Sequence, residues 1–200
     1  RTLFGDGTWE NESRGGLTRL GRSAVKEMNR LGIIVDVSHA SDQTTWDILE
    51  TSTSPVIASH SNARAVHNHL RNVTDDMIRA IAESGGVVGV VAVSPFITDG
   101  EPSIAKWVDH IEHIGNLVGI EHVGIGADFY DHLRQINAAP MIADWSSEPL
   151  MQKSHPFTGM LGPEDLPGLT AELRRRGFSE ADMRKIYNEN YFRVMEQVLR

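Results

Sequence analysis

The chain has 200 residues, a formal net charge of −8 at pH 7 and no cysteine. This length allows one domain with a sizeable core, and 40% hydrophobic and 23% charged residues are typical of a folded chain rather than a disordered one. The negative charge and the absence of a Lys/Arg block exclude a nonspecific nucleic-acid binder. The absence of cysteine excludes disulfides, thiolate metal ligands and a cysteine nucleophile.

The sequence also carries no recognisable membrane or targeting signal. No apolar run reaches the roughly 18 residues of a transmembrane helix, so no membrane-spanning segment is expected. The first 16 residues have neither the apolar core of a signal peptide nor a transit pattern, which favours a cytoplasmic protein. They begin without methionine in loop-like sequence, as a truncated protein would.

Helix and strand patterns alternate through most of the chain. Residues 1–16 are polar and glycine-rich and are predicted to form a loop. Residues 17–128 are predicted to hold βα units, 129–162 a long loop on the active-site side, and 163–200 the C-terminal helices. The predicted helices cover 17–31, 41–51, 74–85, 103–118, 166–176 and 179–198, and the predicted strands cover 33–37, 55–59, 86–93 and 123–127.

The four predicted strands are apolar and rich in β-branched residues. Such runs, separated by helices, are typical of parallel strands that are buried on both faces of an α/β protein. A complete (β/α)8 barrel takes about 250 residues, so four units correspond to half of one. We therefore predict a single α/β domain over residues 1–200 that forms half of such a barrel.

A Ser-His pair ends each of the first two strands, as Ser38-His39 and Ser59-His60. Ligands gather at the carboxyl ends of parallel strands. Neighbouring strands lie about 4.8 Å apart, so two imidazoles at matched positions can converge on one metal ion. The spacing alone leaves two interpretations equally open: a metal site, or two histidines that are hydrogen-bonded at strand ends.

Two charged residues lie at the same predicted end of the sheet. Asp128 follows the fourth strand, where it could hold or deprotonate a metal-bound water, or serve only as a capping carboxylate. Arg71 follows the second strand, where it could bind a carboxylate through a bidentate fork, or form a surface ion pair. The pair Gly124 and Gly126 is too weak a motif to predict dinucleotide binding, and no G-x-S-x-G elbow supports a serine hydrolase.

Several segments resemble the membrane dipeptidase (renal dipeptidase) family of zinc peptidases, whose fold is an amidohydrolase-like barrel. These segments are GGLTRLGRSAVKEMNRLGIIVDVSHAS, PVIASHSNARAV, HLRNVTDDMIRAIAESGGVVGV, VDHIEHIGNLVGIEHVGIGADF and LTAELRRRGFSEADMRKIYNENYFRV. The resemblance implies that His39 and His60 bind the second of two zinc ions. It implies that Arg71 binds the terminal carboxylate of a dipeptide, and that Asp128 contacts the bridging water and the substrate.

The implied function is a zinc-dependent dipeptidase that hydrolyses the peptide bond through a hydroxide bridging the metal ions. The implied fold is a TIM barrel of the metal-dependent hydrolase type, with only its last four βα units in this chain. The family's first metal ligands and its bridging glutamate are absent, and Phe129-Tyr130-Asp131 stands where the family usually has Phe-Asp-Gly. Two alternatives follow. One is another metal-dependent amide, lactam or ester hydrolase on the same barrel. The other is a half-barrel with no catalysis of its own, either an inert fragment or a subunit completed by a partner chain, which would be a second copy or the missing N-terminal half.

Overall fold

The computed structural model describes residues 2–129 and 162–199, which form alternating helices and strands. In chain order they are α1 (Arg19–Leu31), β1 (Val35–Asp36), α2 (Asp42–Thr51), β2 (Val56–Ile57), α3 (Asp75–Glu83), β3 (Val88–Val90), α4 (Ser94–Ile97), α5 (Ile104–Val118), β4 (Val123–Ile125), α6 (Leu166–Arg175), α7 (Glu180–Arg184) and α8 (Asn190–Val198). A π-helical turn, Lys185–Glu189, joins α7 to α8. No helix in the described ranges is both long and apolar enough to cross a bilayer.

The helices begin where local sequence signals place them. A hydroxyl side chain caps each of five helices by accepting a hydrogen bond from a backbone N–H in the first turn; the caps are Thr18, Ser41, Thr74, Ser103 and Ser179. Helix α1 ends at Gly32, whose φ of 71° is a left-handed conformation that glycine adopts without strain. The predicted helix boundaries are therefore confirmed to within a few residues.

The strands are parallel and lie side by side in chain order. β1 pairs with β2, with Val35 opposite Val56, and β3 pairs with β4, with Val88 opposite Val123. A parallel bridge from Ala58 to Val88 joins the two pairs. The regular strands are shorter than predicted, and some hydrogen bonds between neighbouring segments continue beyond them. The α/β class with parallel strands is confirmed.

Alternate residues of the sheet face different layers of helix. One face, which includes Val35 and Val56, packs into the main core with residues of α1, α2, α3, α5 and α6. The other face, which includes Ile57 and Val87, packs against Val194 in a second cluster with α8. The C-terminal helix therefore covers the face of the sheet that points away from α1, α2 and α3.

Three expectations about local structure need correction. Both Trp46 and Trp107 fall on the apolar faces of predicted helices, which predicts that they lie in the core; Trp107 is fully buried, but Trp46 is 38% exposed. The first 16 residues include a 3-10 turn, Thr8–Ser13, which anchors to the rest because the Thr8 N–H donates to the carbonyl of His39 over 2.8 Å. A short helix, α4, follows the third strand where none was expected. The predicted 129–162 loop lies almost wholly outside the described residues.

His110 on α5 gives a testable link between burial and pH. The ring is fully buried, its Nδ1 accepts from the N–H of Ala63, and burial lowers its pKa to about 4 from 6.5. Between pH 6.5 and pH 4 the unfolded chain binds this proton more readily, so the unfolding free energy falls as pH falls through that window. We expect urea unfolding to show that the unfolding free energy decreases less between pH 7.5 and pH 4.5 in His110→Gln than in wild type. Equal losses would contradict this role for His110.

Candidate metal and substrate site

The structure brings the two predicted metal ligands together. His39 follows β1 and His60 follows β2, and their ring centroids lie 4.9 Å apart with the planes inclined at 56°. The parallel pairing of β1 with β2 produces this proximity, since it carries both strand ends to the same edge of the sheet. His39 has a φ of 70°, a left-handed conformation that is uncommon outside glycine and is often found at functional sites.

Both imidazoles are held in the neutral form that binds metals. Partial burial, and after it the positive charge of Arg71, lowers the pKa of His39 to about 4. The same two causes lower the pKa of His60, while the carboxylates of Asp128 and Asp36 oppose the shift at both rings. Neutral nitrogen donors at physiological pH fit a zinc ion.

A network of polar residues holds His60 in place. Asp36 on β1 accepts hydrogen bonds at Oδ1 from the N–H of Ser38 and of Ser59, both over 2.9 Å. The Ser59 hydroxyl lies 2.5 Å from Asp36 Oδ2 and 2.7 Å from His60 Nδ1. The N–H of His60 donates to the Ser38 hydroxyl over 2.9 Å. The network fixes both the backbone and the ring of His60.

Arg71 is a buried cation without a carboxylate partner among the described residues. It is only 4% exposed, and its one side-chain hydrogen bond to a described residue is a long contact of 3.4 Å from Nη2 to the carbonyl of His60. Its guanidinium lies 5.4 Å from the ring centre of Phe96, and its buried Nε has no partner among residues 2–129 and 162–199. Burial lowers its pKa, while the charges of Asp128 and Asp36 raise it. The surface ion pair considered for this residue is therefore wrong.

Two buried asparagines anchor the segment that carries Arg71. Asn62 donates to the carbonyl of Val91 and accepts from its N–H, and Asn72 donates to the carbonyl of Phe96 over 2.8 Å. Arg64, in contrast to Arg71, is fully paired through two 2.7 Å bonds to Asp42. The segment that carries the Arg71 guanidinium is therefore anchored by hydrogen bonds on both sides of that residue.

Asp128 is exposed at the end of the fourth strand. Its φ of 55° is left-handed, and its charge acts on His39, His60 and Arg71. The backbone that leads to Asp128 is closely packed at Gly126. A Cβ at Gly126 would lie 1.8 Å from the carbonyl oxygen of Ser59. The two glycines therefore serve close packing: Gly126 against the Ser59 carbonyl, and Gly124 against the ring of Tyr191.

The described residues supply part of a metal site. Two imidazoles converge, but no group of three or more His, Cys, Asp or Glu side chains comes together in the described ranges. Structural and catalytic zinc sites use three or four protein ligands. The two imidazoles are donors of the kind that zinc prefers, but they are fewer than the three or four protein ligands that a zinc site uses.

Sequence reasoning missed Asp36, Phe96 and Tyr191. Asp36 was detectable, because a carboxylate inside the apolar run 33–37 needs a reason. Tyr191 reaches from α8 to the Ser59 carbonyl over 3.3 Å, and Phe96 lies against both Arg71 and His69. No local pattern marks either aromatic residue, since each contact joins segments that are distant in sequence.

Comparison with known proteins matches the whole chain to one family. A family model for membrane dipeptidases, peptidase family M19, matches residues 1–200. Dipeptidase verJ of Clonostachys rogersoniana is 37% identical over 199 residues, which are 98% of this chain and 45% of that protein. The chain thus spans about half the length of the curated relatives it matches.

Two solved structures are similar over nearly the full chain. A metallopeptidase from Rhodobacter sphaeroides, liganded with a phosphinate mimic of the dipeptide L-Ala-D-Ala, superposes with a TM-score of 0.79 at 29% identity. That match covers 99% of this chain and 53% of the other. An amidohydrolase from Pseudomonas aeruginosa gives a TM-score of 0.81 at 32% identity, covering 99% of this chain and 62% of the other.

Proposed function

Because the chain belongs to the membrane dipeptidase family, peptidase family M19, we propose that it forms half of a zinc-dependent dipeptidase site on a (β/α)8 barrel. The observation that carries this proposal is the pairing of two neutral histidines beside a buried guanidinium that has no carboxylate partner in the part of the chain that the structure describes. The histidines suit a metal ion, and the guanidinium suits an anion. A short peptide with a free terminal carboxylate would place its peptide carbonyl at the metal ion and its carboxylate at the guanidinium.

Each residue has one task in this proposal. His39 and His60 would hold zinc, which when bound polarises a carbonyl and acidifies water. Asp128 lies within electrostatic reach of both histidines and would hold or accept the proton of the attacking water. Arg71 would bind the terminal carboxylate through its fork of N–H donors, helped by a buried setting that strengthens charged hydrogen bonds.

Dipeptides are the proposed substrate class. The Rhodobacter sphaeroides relative binds a mimic of L-Ala-D-Ala, and the curated relative is named a dipeptidase. Phe129 begins a segment whose sequence departs from the family's usual Phe-Asp-Gly. Which side chains the enzyme prefers in its dipeptide substrate is therefore a question for the assays below.

The test uses the complete protein that contains this chain. We expect it to contain zinc, to cleave L-Ala-L-Ala or L-Ala-D-Ala, and to lose activity on chelation. A lactam and a simple ester, assayed beside the dipeptides, separate a dipeptidase from another hydrolase on the same barrel. A zinc-loaded protein that cleaves the lactam or ester but neither dipeptide would overturn the proposal.

The 200-residue chain alone is expected to bind zinc weakly and to be inactive. Among its described residues no group of three or more His, Cys, Asp or Glu side chains comes together, and the two imidazoles of His39 and His60 leave zinc short of its usual three or four protein ligands. Zinc titration and a dipeptide assay on the purified chain test this, with His60→Ala as the variant that removes one of the two ligands. Tight zinc binding with turnover by the isolated chain would contradict it.

A further inference from the structure

The protons of the network beneath His60 can be counted. The Ser59 hydroxyl lies 2.5 Å from Asp36 Oδ2 and 2.7 Å from His60 Nδ1. A hydroxyl carries one proton, and a carboxylate can only accept. The short contact with Asp36 therefore takes the hydroxyl proton, and the remaining contact requires a proton on His60 Nδ1.

Contacts of its backbone hold Ser59 in the position where its hydroxyl meets both Asp36 and His60. Its N–H also donates to Asp36, through the other carboxylate oxygen, and its carbonyl accepts from the Tyr191 hydroxyl over 3.3 Å. Gly89 and Gly126 pack against that carbonyl so closely that neither position has room for a Cβ. The Ser59 backbone is thus fixed from three sides, which leaves its hydroxyl little choice of partner.

From these contacts we infer that Asp36 and Ser59 are positioning residues, a relay that keeps His60 in the Nδ1–H tautomer and leaves Nε2 unprotonated toward a metal ion. The inference deepens the proposed function and rests on it only for the metal. Ligating histidines generally have their second nitrogen hydrogen-bonded to a fixed partner, which sets tautomer and ring orientation. Here the partner is a serine hydroxyl from the preceding residue, aligned by a carboxylate on the neighbouring strand.

His39 provides an internal contrast. No described residue hydrogen-bonds its ring, and its contact with His60 is a tilted ring contact, with the planes inclined at 56°, that does not involve Ser59 or Asp36. The relay therefore acts on one of the two candidate ligands. A change in Ser59 is expected to alter the His60 ring and to leave the His39 tautomer as it was.

The experiment is nitrogen NMR of the metal-free complete protein with ring-labelled histidine at pH 8. His60 is assigned from the spectrum of His60→Gln. We expect Nδ1 of His60 to be protonated in wild type and in Ser59→Thr, which keeps the hydroxyl. In Ser59→Ala and Asp36→Ala we expect a shift toward the Nε2–H tautomer. Ser38→Ala, which removes the acceptor of the His60 N–H but not the ring partner, should leave the tautomer unchanged.

Zinc affinity of the complete protein is the second measurement. Ser59→Ala should weaken it by about 10- to 100-fold, and Ser59→Thr should restore it. A wild-type His60 that carries its proton on Nε2, or a tautomer that Ser59→Ala does not change, overturns the relay, and the wild-type spectrum decides this even if a variant does not fold. If the tautomers behave as expected but the complete protein binds no zinc, the relay stands and the proposed function fails.

Discussion

Arg71→Met in the complete protein is expected to raise KM for dipeptides by at least roughly 30-fold while zinc content stays at the wild-type level. Losing one partner of a buried, hydrogen-bonded charge pair costs about 2–5 kcal/mol. The wild-type guanidinium is 4% exposed and has no described carboxylate partner, so it is prepared for a ligand anion. Methionine keeps an unbranched apolar stem about as far as Nε and removes the charge, the fork and the guanidinium contact with Phe96. Steady-state kinetics and metal analysis measure the two quantities.

The substrate itself provides the matched control. A dipeptide with an amidated C-terminus lacks the anion, so wild type should discriminate strongly against it and Arg71→Met should not. Arg64→Met is the protein control, because Arg64 is already paired with Asp42 and should change stability more than it changes this discrimination. If Arg71→Met still separates the acid from the amide as wild type does, Arg71 has another role.

The helices were predictable because their signals are local. A capping hydroxyl such as Thr18 or Ser41 lies within three residues of the N–H it caps, so short-range sequence contains the whole interaction. The paired histidines were predictable for a related reason. One βα repeat separates them, and parallel strands deliver equivalent positions to one edge. Their role as metal ligands stays a prediction.

The burial of Arg71 could not be predicted from its neighbours in sequence. His69, Leu70 and Asn72 look like parts of a solvated loop, and the guanidinium is buried by Phe96, which comes 25 positions later and joins it across the fold. Trp46 shows the opposite failure. It shares an apolar helical pattern with buried residues, yet the helices that pack there leave it 38% exposed.

Packing explains why position 126 is a glycine, although the motif around it predicted no function. The sequence Gly124-Ile125-Gly126 gave no functional signal, since the family of motifs it suggests needs a third glycine and a helix. The approach of the Ser59 carbonyl, which follows the second strand, to Gly126, which follows the fourth, joins segments that are distant in sequence. Only the folded chain reveals that the space above Gly126 is filled by a backbone carbonyl.

Gly126→Ala is consequently expected to damage both stability and the site. Its Cβ would lie 1.8 Å from the Ser59 carbonyl oxygen, and a backbone atom cannot rotate away as a side chain can. We expect a loss of about 3 kcal/mol in unfolding free energy, since overpacking a tight interior costs this order. Because Ser59 must move, His60 moves with it, and zinc affinity of the complete protein should fall as well.

Gly115→Ala is the matched control for the same substitution in a tolerant place. Gly115 lies within α5, where an added Cβ would be 3.3 Å from the end of the flexible Ile120 side chain. Alanine favours a helix over glycine by about 1 kcal/mol, so this variant should be as stable as wild type or more so. Urea unfolding and zinc titration of both variants give the comparison. Equal stability and equal zinc affinity for Gly126→Ala and Gly115→Ala would contradict the close approach of Gly126 to the Ser59 carbonyl.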